Sequence, residues 1–173
     1  TLTEVMRETA KTTSLVFIIL LGAAMLTSAF RGFGGEEVVK HFLSSLPGGF
    51  WAQFIVVMLV IFLLGFFLDF IEIAVVVVPI VAPILLADPS ANITAVWLGV
   101  MIGLNIQTSF LTPPFGFALF YLRGVATKAV KTLDMYKGVV PFIALQIVGL
   151  GIVGFNPSLV NYLPTKTFLS SET

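Results

Sequence analysis

Five polar side chains and two consecutive prolines interrupt an otherwise apolar run between Asn105 and Gly116, NIQTSFLTPPFG. Asn105, Gln107, Thr108, Ser109 and Thr112 carry oxygen atoms, and hard cations are held by oxygen. Pro113 and Pro114 have no backbone N–H, and Pro114 moves Pro113 out of the helical region. Carbonyls about one turn upstream, near Ser109 and Phe110, are therefore expected to lose their helical partners. In hydrocarbon each such carbonyl costs several kcal/mol unless protein, water or an ion satisfies it. The pattern predicts a helix broken so that carbonyls and hydroxyls face a cation. Thr and Ser hydroxyls also bond to the preceding turn of their own helix, which is the plainer use of them. Gln107 is the weaker candidate, because one helical face cannot aim every polar group inward.

A second cluster lies at Gly65–Glu72, GFFLDFIE, in the middle of another apolar run. A charge at the bilayer centre costs at least about 2.5–3.5 kcal/mol on insertion scales, so an intramembrane carboxylate is a functional candidate. Asp69 is the candidate ligand, with carbonyls around Gly65; Glu72 is the more structural of the two acids. Helix starts at Phe70 and Phe115 would direct positive dipole ends toward the same space, which suits a carboxylate substrate.

The elements that must position these groups follow from composition. The chain has 173 residues, 58% of them hydrophobic and 10% charged, with a mean hydropathy of +1.07. Soluble domains average about 25% charged residues. An all-α integral membrane protein is expected, set in the lipid bilayer. The zero net charge implies no nucleic-acid partner. There are no cysteines and the single His41 cannot build a zinc site, so no cofactor is expected. Sequences of the type GxSxG, HExxH or Walker A are missing, and no enzymatic activity is expected. The first residue is Thr rather than Met, so a piece of a longer polypeptide is expected.

One membrane domain is expected, with a first span at 14–30, an interfacial helix at 36–46, a hairpin at 51–87, a broken span at 93–126 and a last span at 138–155. As one straight helix, 51–87 would be roughly 55 Å long against about 30 Å of hydrocarbon, so it must turn back. A re-entrant hairpin with Asp69 at its tip is the favoured reading; two ordinary spans are the competing one. Arg123, Lys128, Lys131 and Lys137, together with Arg7 and Lys11, place those flanks in the cytoplasm. Trp51 and Trp97 are expected as interfacial anchors, and Asn156–Thr173 as a polar tail that carries no strong structural signal.

The runs LGFFLDFIEIAVVVVPIVAPI and NIQTSFLTPPFGFALFYLRGVA, followed by a last span that opens with KGVVPF, resemble the large membrane subunit of TRAP (tripartite ATP-independent periplasmic) transporters, the DctM-like permeases. The likeness is to the C-terminal half. It implies one half of an inverted-repeat, elevator-type fold of the ion transporter superfamily kind, in a bacterial inner membrane. It also implies sodium as the coupling ion and import of small organic acids of the dicarboxylate or keto-acid class. A periplasmic binding protein would deliver the substrate and a small membrane subunit would complete the permease. Gly65, Asp69, Asn105, Thr108, Ser109, Thr112, Pro113, Pro114 and Gly116 then fall in the cation and substrate region, with Gly65, Asp69 and Thr112 as sodium ligands. A passive channel, another ion-coupled transporter and a non-transporting assembly subunit are the alternatives.

Overall fold

The computed structural model describes residues 1–88, 91–113, 118–119, 122–123 and 131–169. Among the described residues every regular element is a helix. Helix α1, Leu2–Gly32, carries the polar start of the chain straight into the first apolar segment. It is followed by α2, Gly35–Ser44, and α3, Gly49–Leu64. The corner between α1 and α2 is made by Gly34 at φ 76°, and the one between α2 and α3 by Gly48 at φ 114° and Gly49 at φ 64°. Only glycine enters that region readily, so these three residues decide where the chain can change direction.

Gly65–Leu68 then form a tight turn, in which Phe67 N–H and Leu68 N–H both donate to the Leu64 carbonyl. Helix α4, Phe70–Leu86, returns alongside. It contains a π-helical turn at Ile73–Val77, where Val78 N–H donates to the Ile73 carbonyl five residues back. Pro79 follows immediately. A π turn changes which N–H serves which carbonyl, so it accommodates a residue that has no N–H to give. The two arms hold 16 and 17 residues, about 24 and 26 Å of helix. Both are shorter than the roughly 30 Å hydrocarbon layer.

Helix α5, Ala95–Leu111, begins on the Thr94 hydroxyl, which accepts from Trp97 N–H at 3.1 Å. Helix α6, Thr132–Phe155, starts earlier than the expected last span, with Lys131 at its N-cap and Lys137 in its second turn. The polar tail is helical over Pro157–Pro164 (α7), continuing as a π turn at Thr165–Leu169. Pro157 suits the first turn of a helix, where its missing N–H is unneeded. The Thr94 hydroxyl donates to Asn161 Oδ1 at 2.6 Å and ties this helix to the start of α5.

The core is built by the hairpin and α5. Phe54, Val57, Met58 and Ile61 of α3 meet Ile73, Ile84 and Leu85 of α4 and Trp97, Leu98, Met101 and Ile102 of α5. Trp97 is 1% exposed and stacks on Phe54 with ring centroids 5.3 Å apart. The expectation of an interfacial Trp97 is therefore corrected. Its indole Nε1–H donates to the Val153 carbonyl of α6 at 3.0 Å. Val153 lies in the last turn of α6, where carbonyls have no helical partner, so the indole supplies one. Among the described residues, helices α1 and α6 are the two segments long and apolar enough to cross a membrane, and most of their surface is uncovered.

Candidate functional site

Three contacts set the register of α3 against α5. Trp97 stacks on Phe54, Asn105 Nδ2–H donates to the Met58 carbonyl at 2.7 Å, and Gly65 lies on Ser109. Residue numbers rise together along both helices, so the two run in the same direction. Their far ends, the hairpin tip and the end of α5, therefore come to one place. The rings of Phe70 and Phe110 meet there edge to face, 6.3 Å between centroids.

Asp69 is the N-cap of α4. Its backbone is extended, at φ −71° and ψ 155°, and its Oδ1 accepts from Phe70 N–H at 2.8 Å. Glu72 closes a capping box, its Oε2 accepting from Asp69 N–H at 3.3 Å. Both carboxylates are partly buried. One oxygen of Asp69 is thus engaged by its own helix, and carboxylates accept further partners at their remaining lone pairs. Gly65 is buried, and a β-carbon there would approach the Ser109 side chain, coming within 2.9 Å of its Cβ. Here glycine answers a close approach rather than an unusual dihedral.

Helix α5 ends at Leu111, and Thr112 is extended at φ −82° and ψ 125°. The expected interruption falls at this residue. The Thr112 hydroxyl donates to the Thr108 carbonyl at 2.7 Å, and Thr112 N–H donates to the Ser109 carbonyl at 3.1 Å. The Ser109 carbonyl is thus served by a tightened last turn, which corrects the expectation that it is left unpaired. Thr108 Oγ1–H donates to Leu104 at 2.7 Å and Ser109 Oγ–H to Ile106 at 2.8 Å. Each hydroxyl spends its hydrogen on the helix and keeps its oxygen lone pairs as acceptors. Pro113 follows the break and is partly buried, while Pro114, Phe115 and Gly116 lie outside the described residues.

Asn105, Thr108 and Ser109 are the buried polar residues of this helix, with Ser109 0% exposed, whereas Gln107 is exposed. Gln107 faces a cavity of about 580 Å³ between α4 and α5 that Phe70, Ala74, Val78, Gly99 and Gly103 also line. Sequence reasoning missed Met58, whose carbonyl anchors Asn105, and the Phe70–Phe110 pair. Neither carries a signal in its residue type. No cluster of three or more His, Cys, Asp or Glu side chains able to hold a metal occurs among the described residues. Any cation here would depend on carbonyl and hydroxyl oxygens beside the Asp69 and Glu72 carboxylates, and oxygen donors suit hard cations.

No solved structure matches the chain. Among curated proteins, it is 37% identical over 73 residues to the sialic acid TRAP transporter permease protein SiaT of Haemophilus influenzae, which covers 42% of this chain and 12% of that one. It is 32% identical over 73 residues to the C4-dicarboxylate TRAP transporter large permease protein DctM of Vibrio cholerae, covering 42% and 16%. A longer match, 25% identical over 162 residues, joins 93% of the chain to 36% of the sialic acid TRAP transporter large permease protein SiaM of Vibrio cholerae. The chain thus corresponds to a minor part of each relative's length. The profile of the tripartite ATP-independent periplasmic transporter DctM component matches residues 1–159. The chain belongs to that family of TRAP large permeases.

Proposed function

We propose that this chain forms part of a sodium-coupled secondary transporter that imports small organic acids. The observation that carries the reading is the meeting of the hairpin tip with the end of α5, through Gly65–Ser109 and Phe70–Phe110. In this reading Asn105–Gly116 lies at mid-depth in the bilayer and the hairpin is re-entrant, because each arm is too short to cross. A discontinuous helix facing a hairpin tip at mid-membrane is a recurrent way to hold a coupling ion. Asp69, the Thr112 hydroxyl oxygen and carbonyls around Gly65 supply oxygens to sodium, and the start of α4 faces the substrate carboxylate. Pro113, Pro114 and Gly116 keep the chain from resuming the helix, and Thr108 and Ser109 line the approach.

The substrate class is a carboxylate-bearing acid. Dicarboxylates and keto acids fit it, and so does sialic acid, for which two of the relatives are named. A periplasmic binding protein delivers the acid, a small membrane subunit completes the permease, and the assembly sits multi-pass in a bacterial inner membrane, moving in the elevator manner. The test is uptake by the full-length permease in proteoliposomes. Removing sodium is expected to abolish uptake, as is Thr112→Val, while Thr112→Ser retains it. Uptake unchanged by both sodium removal and Thr112→Val would reject the reading.

A further inference from the structure

We infer that Arg31 is a positioning residue: its guanidinium replaces the N–H that Pro83 withholds from the Pro79 carbonyl, and so holds α4 against the corner between α1 and α2. In a regular helix the Pro79 carbonyl would be served by the N–H of residue 83, and proline has none. Arg31 Nη2–H donates to that carbonyl at 3.2 Å, across 48 residues of sequence. The same side chain pairs through Nε with Glu36 Oε2 at 3.2 Å. Arg31 ends α1, Glu36 lies in the first turn of α2, and the corner between them turns on Gly34. One fork therefore joins three elements, a task that needs donors in two directions at once. A planar guanidinium has them; a lysine ammonium is a single point that can serve one partner well.

The contact matters because α4 is the irregular arm. A π turn and two prolines leave its own hydrogen bonding incomplete between Ile73 and Pro83. Pro79 stands ten residues after Asp69 along the same arm, about 15 Å of helix. Fixing the arm at Pro79 fixes the direction in which it carries Asp69 and Phe70.

The inference rests on the transport reading only where uptake is measured. The experiment compares the full-length permease with Arg31→Met, Pro83→Ala, the double variant and Arg31→Lys, by thermal melting in detergent and by initial uptake rates at several substrate concentrations. Arg31→Met is expected to lower the melting temperature and slow maximal uptake about fivefold, chiefly through the lost bond to Pro79, since the exposed pair with Glu36 contributes little, with KM little changed. In the double variant, residue 83 has an N–H for the Pro79 carbonyl, and most of both losses should return. Arg31→Lys should fall between. An Arg31→Met protein that melts and transports like the parent overturns the inference, as does an equal loss with and without Pro83→Ala. If Arg31→Met is not produced, recovery of protein in the double variant supports the inference and failure of both counts against it. Should the parent itself show no sodium-dependent uptake, the transport reading fails, and the melting comparison still decides the role of Arg31.

Discussion

Gly65 and Ser109 touch where the hairpin tip crosses the end of α5, leaving no room for a β-carbon on the glycine. Ser109 is wholly buried there. The contact lies a few residues from both Asp69 and Thr112, so it sets how near the two interrupted elements approach. A methyl group at this point must separate them or displace the serine.

Gly65→Ala is therefore expected to destabilise the protein by about 1–3 kcal/mol, the usual cost of overpacking. Gly65→Ala with Ser109→Gly should recover more than half of that loss, since the clashing side chain is gone. Melting temperatures of the purified full-length protein in one detergent provide the comparison. Identical melting of the single and double variants would show that the two residues do not meet.

Asn105 is buried and its amide reaches the Met58 carbonyl, so Asn105→Ala removes the only polar bolt recorded between α3 and α5 among the described residues. A loss of about 0.5–1.5 kcal/mol is expected, the worth of one hydrogen bond, because the Met58 carbonyl lies within α3 and keeps its helical partner. The same melting assay serves, and a change below about 0.5 kcal/mol, the range of ordinary surface substitutions, would contradict the assignment.

Trp97→Phe keeps an aromatic ring against Phe54 but takes away the indole donor from Val153. Its expected cost is about 1–2 kcal/mol, from one orphaned carbonyl and a smaller ring. Thermal melting of Trp97→Phe beside the parent measures it, and a change below about 0.5 kcal/mol would contradict the assignment.

Asp69 has two separable jobs, the cap of α4 and a negative charge at the tip. Asparagine caps a helix about as well as aspartate, so Asp69→Asn should cost little stability, whereas Asp69→Ala should cost about 1 kcal/mol. If the carboxylate also holds sodium, Asp69→Asn raises the sodium concentration for half-maximal uptake by about tenfold, equivalent to about 1.4 kcal/mol. Sodium titrations of uptake beside melting curves separate the two. A variant equally stable and equally responsive to sodium would leave Asp69 as a cap alone.

The interruptions were legible because their causes are local. Two adjacent prolines cannot continue a helix, and α5 stops at Leu111 immediately before Thr112 and Pro113. Likewise Asp69 and Glu72 carry the spacing of a capping box, and α4 starts at the residue between them that the spacing indicates. What stayed hidden depends on distant partners. Trp97 has the composition of an interfacial anchor, and only the placement of Val153 turns it inward. Nothing in the types of Asn105 and Met58 announces that they meet. The helix beginning at Pro157 has a local cause, since proline is favourable at a helix start, but the polar residues around it obscure the signal.

Because α3 and α5 run the same way, their starting loops open on one side of the hairpin. In the proposed re-entrant arrangement Ser45 and Ala95, far apart in the chain and both exposed, then face a single compartment. A membrane-impermeant thiol reagent should reach cysteines placed at both positions from that side and at neither from the other.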